Sequence, residues 1–300
     1  MSLRSFTKKL GCKEDGFVAK KIGFIDYYLD EWHANNYPEM LKKWAPEFEV
    51  AYAYAKIDSP LPGGMTSREW EAKYGIPVLD SMEEVIEKSD YLIVLSPDNP
   101  EMHEELCKKP LASGKPTYID KTFAETVDVA KRIFAMAEEG NTKCYSSSAL
   151  YFAKEYAHVY EQEVECIDSC GPNRFSIYVI HQLEPIVAMM KARPVRVMSV
   201  GTAEYPMVIL EFEGGKRAKL STFFHGDTFS MNIGYSEEKA ELVKVSSDFW
   251  EGFMKALAVF FETGEIPVPH ENTLRVIAAR EATVKALEKP FEWVMVNNEV

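Results

Sequence analysis

The first half of the chain alternates short apolar runs with amphipathic stretches. The apolar runs predict five strands, at residues 21–25, 48–55, 90–95, 115–119 and 142–146. The run at 90–95, DYLIVL, continues without alternation after Asp90, which is typical of a strand buried on both faces of a parallel sheet. Three helices are predicted between these strands. One lies at 81–88 and begins with a capping box of Ser81 and Glu84, a second ends at Gly114, and a third lies at 125–139. This alternation predicts a Rossmann-type α/β domain with a parallel sheet over residues 21–148.

The pattern changes in the second half, where strand-like runs follow one another directly. They lie at 195–202, 207–213, 217–224 and 229–235, with a hairpin signal at Gly214-Gly215. Helices at 248–262 and 272–287 and a last strand at 291–296 complete an α+β domain over residues 149–300, built on a mostly antiparallel open sheet. Residues 1–20 are basic and polar without an apolar core, so we expect a loosely ordered leader and no signal peptide.

Composition and charge restrict the partners. The 300 residues carry a net charge of −13, and lysines and arginines cluster only in pairs, so nucleic acid is not an expected partner. No apolar run approaches the ~20 residues of a membrane helix. The five cysteines are odd in number and lack a repeated CxxC, which predicts reduced thiols in a cytoplasmic protein and no metal site. A metal held by Asp26, Asp30 and His33 is the minority alternative.

Three segments together resemble the glucose–fructose oxidoreductase, inositol dehydrogenase and MocA (Gfo/Idh/MocA) family. They are YGIP at 74–77 followed by DYLIVLSPDNPEMH ending at His103, GKPTYIDK at 114–121, and FFETGEIPVPHENTLRVIAAREATVKAL near the C-terminus. The resemblance spans residues 21–296. It implies NAD or NADP as cofactor, a sugar, cyclitol or related polyol as substrate, and a homo-oligomer formed through the C-terminal sheet.

Candidate catalytic residues follow from strand ends and from the resemblance. Lys121 ends a parallel strand, where α/β folds bind ligands, and its ammonium would polarise or deprotonate a substrate hydroxyl while hydride passes to the nicotinamide. His181 is a candidate general base because imidazole titrates near neutral pH. The family's acid four residues before this histidine maps onto Ile177, so the acid is missing, and Glu184, one helical turn after His181, is its candidate substitute.

The cofactor positions implied by the resemblance include clear departures from the family pattern. The expected contacts fall on Asp26, Tyr27, Tyr28, Tyr54, Lys56, Ser96, Pro97, Asn99, His103 and Asp120. A dinucleotide fingerprint needs glycines after the first strand, but Asp26 stands at the first glycine position and no glycine follows Gly23 in this segment. A carboxylate there would oppose the pyrophosphate.

The same departures support an alternative function. Asp26, Tyr28, Trp32 and His33 form an aromatic and acidic loop that can stack on a sugar or hold hydroxyl groups, or that packs shut over a vestigial site. The chain is then a non-catalytic or rewired relative that binds a small polar ligand without classical nucleotide binding.

Overall fold

The computed structural model describes residues 19–226 and 228–297. Most of the predicted leader, residues 1–18, lies outside the described residues. No helix within the described ranges has the length and apolar character needed to cross a membrane.

The first sheet is a five-stranded parallel sheet with the strand order β2-β1-β3-β4-β5. Its strands are β1 (Lys20–Asp26), β2 (Phe48–Ala55), β3 (Tyr91–Val94), β4 (Thr117–Ile119) and β5 (Cys144–Tyr145). The helices between them are α1 (Trp32–Trp44), α2 (Ser67–Tyr74), α3 (Met82–Lys88), α4 (His103–Ala112) and α5 (Val127–Glu139). This arrangement confirms the predicted α/β class of the first half.

The second sheet has seven described strands in the order β11-β10-β6-β9-β8-β7-β12, and only the β6–β9 pair is parallel. The strands are β6 (Cys166–Pro172), β7 (Pro194–Ser199), β8 (Met207–Phe212), β9 (Arg217–Phe223), β10 (Ser230–Ser236), β11 (Lys239–Lys244) and β12 (Trp293–Met295). Gly214 and Gly215 have φ angles of 77° and 82°, as the predicted hairpin between β8 and β9 requires. The helices α6 (Phe175–Met190) and α8 (His270–Leu287) pack against this sheet. The predicted mostly antiparallel sheet is confirmed.

One helix of the second half returns to the first sheet. Helix α7 (Phe249–Thr263) begins at its N-cap Asp248 and ends at Gly264, whose φ of 69° stops the helix. Its Phe253 and Phe260 rings lie 5.3 Å and 4.8 Å from the Tyr118 and Tyr145 rings, and they share one buried cluster with the apolar side chains of β1. The predicted domain boundary at 148/149 divides the chain in sequence, but the packing of α7 crosses it.

Candidate functional site

A cavity of about 290 Å³ lies where the carboxyl ends of the first sheet meet the second half of the chain. Its wall is formed by Trp32, His33, Pro97, Asp98, Lys121, Leu150, Ile177, Tyr178, His181, Phe229, Phe249 and Trp250. Segments that follow β1, β3 and β4 contribute side by side, because the carboxyl ends of parallel strands share one edge. The cavity therefore occupies the position at which α/β sheets bind ligands.

Lys121 lies in this cavity wall, two residues after the end of β4. The residue is only 8% exposed, and its Nζ donates a hydrogen bond to the Pro97 carbonyl oxygen at 3.3 Å. An ammonium enclosed in this way meets a ligand with little competition from water, so its hydrogen bonds to a bound oxygen are strong.

His181 and Glu184 are both linked to Ser148, which the sequence did not single out. The Ser148 hydroxyl lies 2.6 Å from His181 Nδ1, and His181 lines the cavity. Burial, with the charge of Lys121, lowers the pKa of His181 to about 3, so the ring is neutral at pH 7 and a weak base.

Glu184 has a different setting from His181. Its Oε2 accepts the backbone N–H of Ser148, and it lines a much smaller space behind Lys121. Burial raises the pKa of Glu184 to about 8. The side chain thus braces the Ser148 segment, and its role as a substitute acid for His181 stays a prediction.

The structure adds a pair that the sequence reasoning did not assign, His33 and Asp120. His33 Nδ1 lies 2.6 Å from Asp120 Oδ2, and Asp120 Oδ1 accepts the Tyr118 hydroxyl at 3.1 Å. Burial alone would raise the pKa of Asp120, but the contact with His33 and the charge of Lys121 hold it below its ordinary value. Burial also lowers the pKa of His33, although Asp120 opposes that shift. The pair is therefore a neutral imidazole whose Nδ1–H donates to a carboxylate.

Aromatic rings form much of the remaining wall. The Trp32 and Trp250 rings lie 4.9 Å apart, and the Tyr178 and Phe229 rings are parallel with centroids 6.4 Å apart. Such surfaces suit the apolar faces of a carbon ring, while lysine and imidazole groups suit its hydroxyls.

The turn after β1 does not have the geometry of a dinucleotide cradle. Asp26 is fully buried at the end of β1; its Oδ1 accepts the Tyr27 N–H at 2.6 Å, and its Oδ2 has no hydrogen-bond partner within residues 19–226 and 228–297. Burial raises the pKa of this carboxyl group well above its usual range. Tyr28 and Leu29 are also buried and fill the space that glycines leave open in a fingerprint turn.

The amides at the start of α1 are already occupied. The N-cap residue Glu31 accepts the backbone N–H of His33 at 2.6 Å with one carboxylate oxygen and that of Ala34 with the other. These are the groups at a helix N-terminus that would otherwise bind a phosphate. The residues present therefore do not fit a pyrophosphate in the usual position.

The loop after β3 contains three of the predicted cofactor contacts, Ser96, Pro97 and Asn99. Ser96 has a φ of 108° and its hydroxyl donates to the Asn99 carbonyl at 2.9 Å, while the Asn99 amide donates to Glu101. Pro97 lines the cavity beside Lys121. These bonds fix the shape of the loop, and its cofactor contacts stay a prediction.

The remaining predicted cofactor contacts, His103, Tyr54 and Lys56, do not line the cavity. Both ring nitrogens of the fully buried His103 lie 3.0–3.1 Å from backbone carbonyl oxygens, of Leu95 and Phe123, which is a structural arrangement. Tyr54 is half-buried near the end of β2, and Lys56 forms an ion pair of 2.6 Å with a glutamate of α4. No group of three metal-ligating side chains is positioned to hold a metal ion in the described part of the chain.

Residues 61–148 match the sequence model of GFO_IDH_MocA, described as an oxidoreductase family with an NAD-binding Rossmann fold. The predicted resemblance to the Gfo/Idh/MocA family is confirmed. A nicotinamide dinucleotide, the predicted cofactor, is also the cofactor of that family description. The match begins after β1, α1 and β2, so it leaves out the segment that holds the fingerprint in Gfo/Idh/MocA proteins. No curated protein matches the sequence.

Solved structures of several dehydrogenases superpose on nearly the whole chain. A probable dehydrogenase from Thermotoga maritima has a TM-score of 0.72 at 14% identity, covering 92% of this chain and 98% of its own. A putative myo-inositol dehydrogenase from Sinorhizobium meliloti has a TM-score of 0.73 at 12% identity, covering 93% and 100%. The scyllo-inositol dehydrogenase from Lactobacillus casei, solved with NAD(H) and scyllo-inositol, has a TM-score of 0.74 at 14% identity, covering 93% and 99%. At these identities the likeness establishes the fold alone.

Proposed function

We propose that the cavity binds a small polyol, a sugar or a cyclitol, and that Lys121 and His181 act on one of its hydroxyl groups. The observation that carries this proposal is the enclosure of the Lys121 ammonium and the neutral His181 ring in one aromatic-walled cavity. A volume of about 290 Å³ is near the lower end of the range for small-molecule pockets. The scyllo-inositol bound in the Lactobacillus casei enzyme is a ligand of this size and chemistry.

The chemistry of these residues is proton handling at a carbinol. Lys121 Nζ would donate a hydrogen bond to the substrate oxygen and stabilise negative charge that develops on it. His181, oriented by the Ser148 hydroxyl, would hydrogen-bond the same substrate hydroxyl and hold it beside Lys121.

In the family, the nicotinamide ring of NAD or NADP accepts the hydride. In this chain, the turn after β1 does not fit the pyrophosphate of that dinucleotide. This observation favours a second candidate function, a rewired family member that binds the polyol without classical nucleotide binding. Glu31 supports this second function, because its side chain occupies the α1 amides that would otherwise bind a phosphate.

Calorimetric titration tests the proposal. Scyllo-inositol, myo-inositol and glucose are titrated into the protein alone and then in the presence of NADH or NADPH. We expect at least one polyol to bind, and Lys121→Ala to weaken binding and to lower any turnover by ~10²–10⁴. The exposed Lys42→Ala variant is the matched control.

The outcomes separate the two functions. Polyol binding with turnover by a nicotinamide supports the dehydrogenase, and polyol binding that is independent of nucleotide supports the rewired relative. The proposal is refuted when none of the three polyols binds, or when Lys121→Ala binds and reacts as the wild type does.

A further inference from the structure

We propose that the segment after β1, which holds the dinucleotide in relatives, here supplies a catalytic base to the substrate cavity, namely His33 held by Asp120. The inference rests on the proposed polyol function of the same cavity. It adds a proton-accepting residue from α1 to Lys121, which follows β4, and to His181 of α6.

The internal cap fixes where this residue lies. The Glu31 carboxylate binds the first amides of α1, which sets the direction of the first helical turn. The next residues, Trp32 and His33, both line the cavity. The His33 ring is held from three sides: it stacks on Tyr37 at 5.0 Å and lies 5.4–5.9 Å from the indole rings of Trp32 and Trp250. A positioned imidazole therefore stands in the cavity wall.

The hydrogen bond to Asp120 decides which ring nitrogen is free. Asp120 is fully buried, and its Oδ2 lies 2.6 Å from His33 Nδ1; its Oδ1 lies 3.1 Å from the Tyr118 hydroxyl, which is also 2.8 Å from the Ser147 carbonyl oxygen. Because Nδ1–H donates to this carboxylate, Nε2 carries the lone pair of the neutral ring. Asp120 would stabilise the imidazolium that forms when Nε2 takes a proton, as an acid paired with a histidine does in other enzymes.

The proposed step is a proton transfer that is balanced within the cavity. Nε2 of His33 accepts the proton of a substrate hydroxyl, and the electron pair of the broken O–H bond stays on the oxygen. The Lys121 ammonium, in the same cavity, stabilises that oxygen. Among residues 19–226 and 228–297, the His181 ring has a neutral hydroxyl as its hydrogen-bond partner, whereas the His33 ring has a carboxylate, so His33 is the better stabilised base of the two. Asp120 is a positioning residue in this step.

The first test needs no ligand. Wild-type protein is treated briefly with diethyl pyrocarbonate, which modifies unprotonated imidazole nitrogens, and the sites are quantified by peptide mass spectrometry. We expect His33 to react at least about tenfold faster than His103, which is fully buried and whose two ring nitrogens both lie against backbone carbonyl oxygens. Asp120→Asn should slow the His33 reaction. A His33 reaction as slow as that of His103 overturns the proposal.

The second test links the base to the substrate. Saturating scyllo-inositol should protect His33 from the reagent, and His33→Asn, which keeps a polar group near Asp120 but removes Nε2, should weaken binding about fivefold. His158→Asn on the exposed surface is the matched control and should bind normally. If scyllo-inositol binds while His33 stays unprotected and His33→Asn binds equally well, the proposal is wrong. If His33 reacts quickly but none of the three polyols binds, the positioning of His33 by Asp120 is supported and the proposed polyol function is refuted.

Discussion

Replacement of Glu184 by glutamine should make the protein less sensitive to pH. Glu184 is buried, and burial raises its pKa from the ordinary value of 4.5 to about 8. The unfolded chain releases this proton near pH 4.5, whereas the folded chain retains it up to about pH 8. Folding therefore takes up a proton between about pH 4.5 and pH 8. The stability contributed by the protonated Glu184 is lost as the pH rises through this window.

The size of the effect follows from the two pKa values. Each pH unit inside the window lowers the free energy of unfolding of the wild type by about 1.4 kcal/mol, and the loss between pH 5 and pH 7 amounts to about 2.5 kcal/mol. Glutamine does not titrate and keeps an oxygen that accepts the Ser148 N–H. The free energy of unfolding of Glu184→Gln minus that of the wild type should therefore rise by about 2.5 kcal/mol over this range, or roughly 5 °C in Tm.

Urea unfolding at pH 5, 6 and 7 measures this difference, with Glu139→Gln at the exposed end of α5 as the control. A constant cost of packing the glutamine amide changes all three values equally and leaves their slope unaffected. A difference that stays flat from pH 5 to pH 7 would show that Glu184 is already ionised in the folded protein at pH 5, and that the reasoning from burial is wrong.

Three further predictions concern the cofactor, the cavity wall and assembly. NADH should bind weakly, and Asp26→Gly or Glu31→Ala should tighten its binding, because Asp26 fills the turn and Glu31 occupies the amides that would otherwise bind a phosphate. A submicromolar dissociation constant in a fluorescence titration, unimproved by either change, contradicts this. Trp250→Ala should weaken scyllo-inositol binding by calorimetry, since the indole forms part of the wall, whereas an unchanged affinity would remove it from the site. Light scattering should show a homo-oligomer, formed through the face of the second sheet opposite α6 and α8, and a monomer at micromolar concentration would disprove that expectation.

Regular hydrophobic patterns allowed most strands to be predicted from the sequence. The alternation at 48–55 gives β2 with the observed bounds, and the continuous apolar run at 90–95 gives β3 within one or two residues. Strand β6 was missed because its sequence, CIDSCGP, combines polar and small residues, and it is held by pairing with β9 about fifty residues later. Helix α1 was missed because it contains histidine, two asparagines and Pro38, and because a glutamate serves as its N-cap.

The site was predictable only where a single strand end determined the position. Lys121 follows β4 directly, so its place in the cavity follows from the strand prediction. His33 and Asp120 are 87 residues apart, and Ser148 and His181 are 33 apart. No local spacing connects such residues, because the order of strands in the sheet brings them together. The segment containing His33 was predicted to be an unusual loop, whereas His33 lies in the first turn of α1 and its partner Asp120 was visible only in three dimensions.

The position of α7 has a consequence for how the chain is made. The face of the first sheet that carries Phe24 and Tyr118 is covered by a helix that ends at Thr263, although the last strand of that sheet ends at Tyr145. Helix α1 packs in the same cluster, but at ribosomal rates of ~5–20 residues per second the part of the face that α7 covers stays uncovered for roughly 6–25 s after the sheet itself has been synthesised. A fragment that stops near residue 148 would expose the same aromatic surface permanently and should aggregate. The cavity includes Trp250 of the same helix, so ligand binding begins only when most of the chain has left the ribosome.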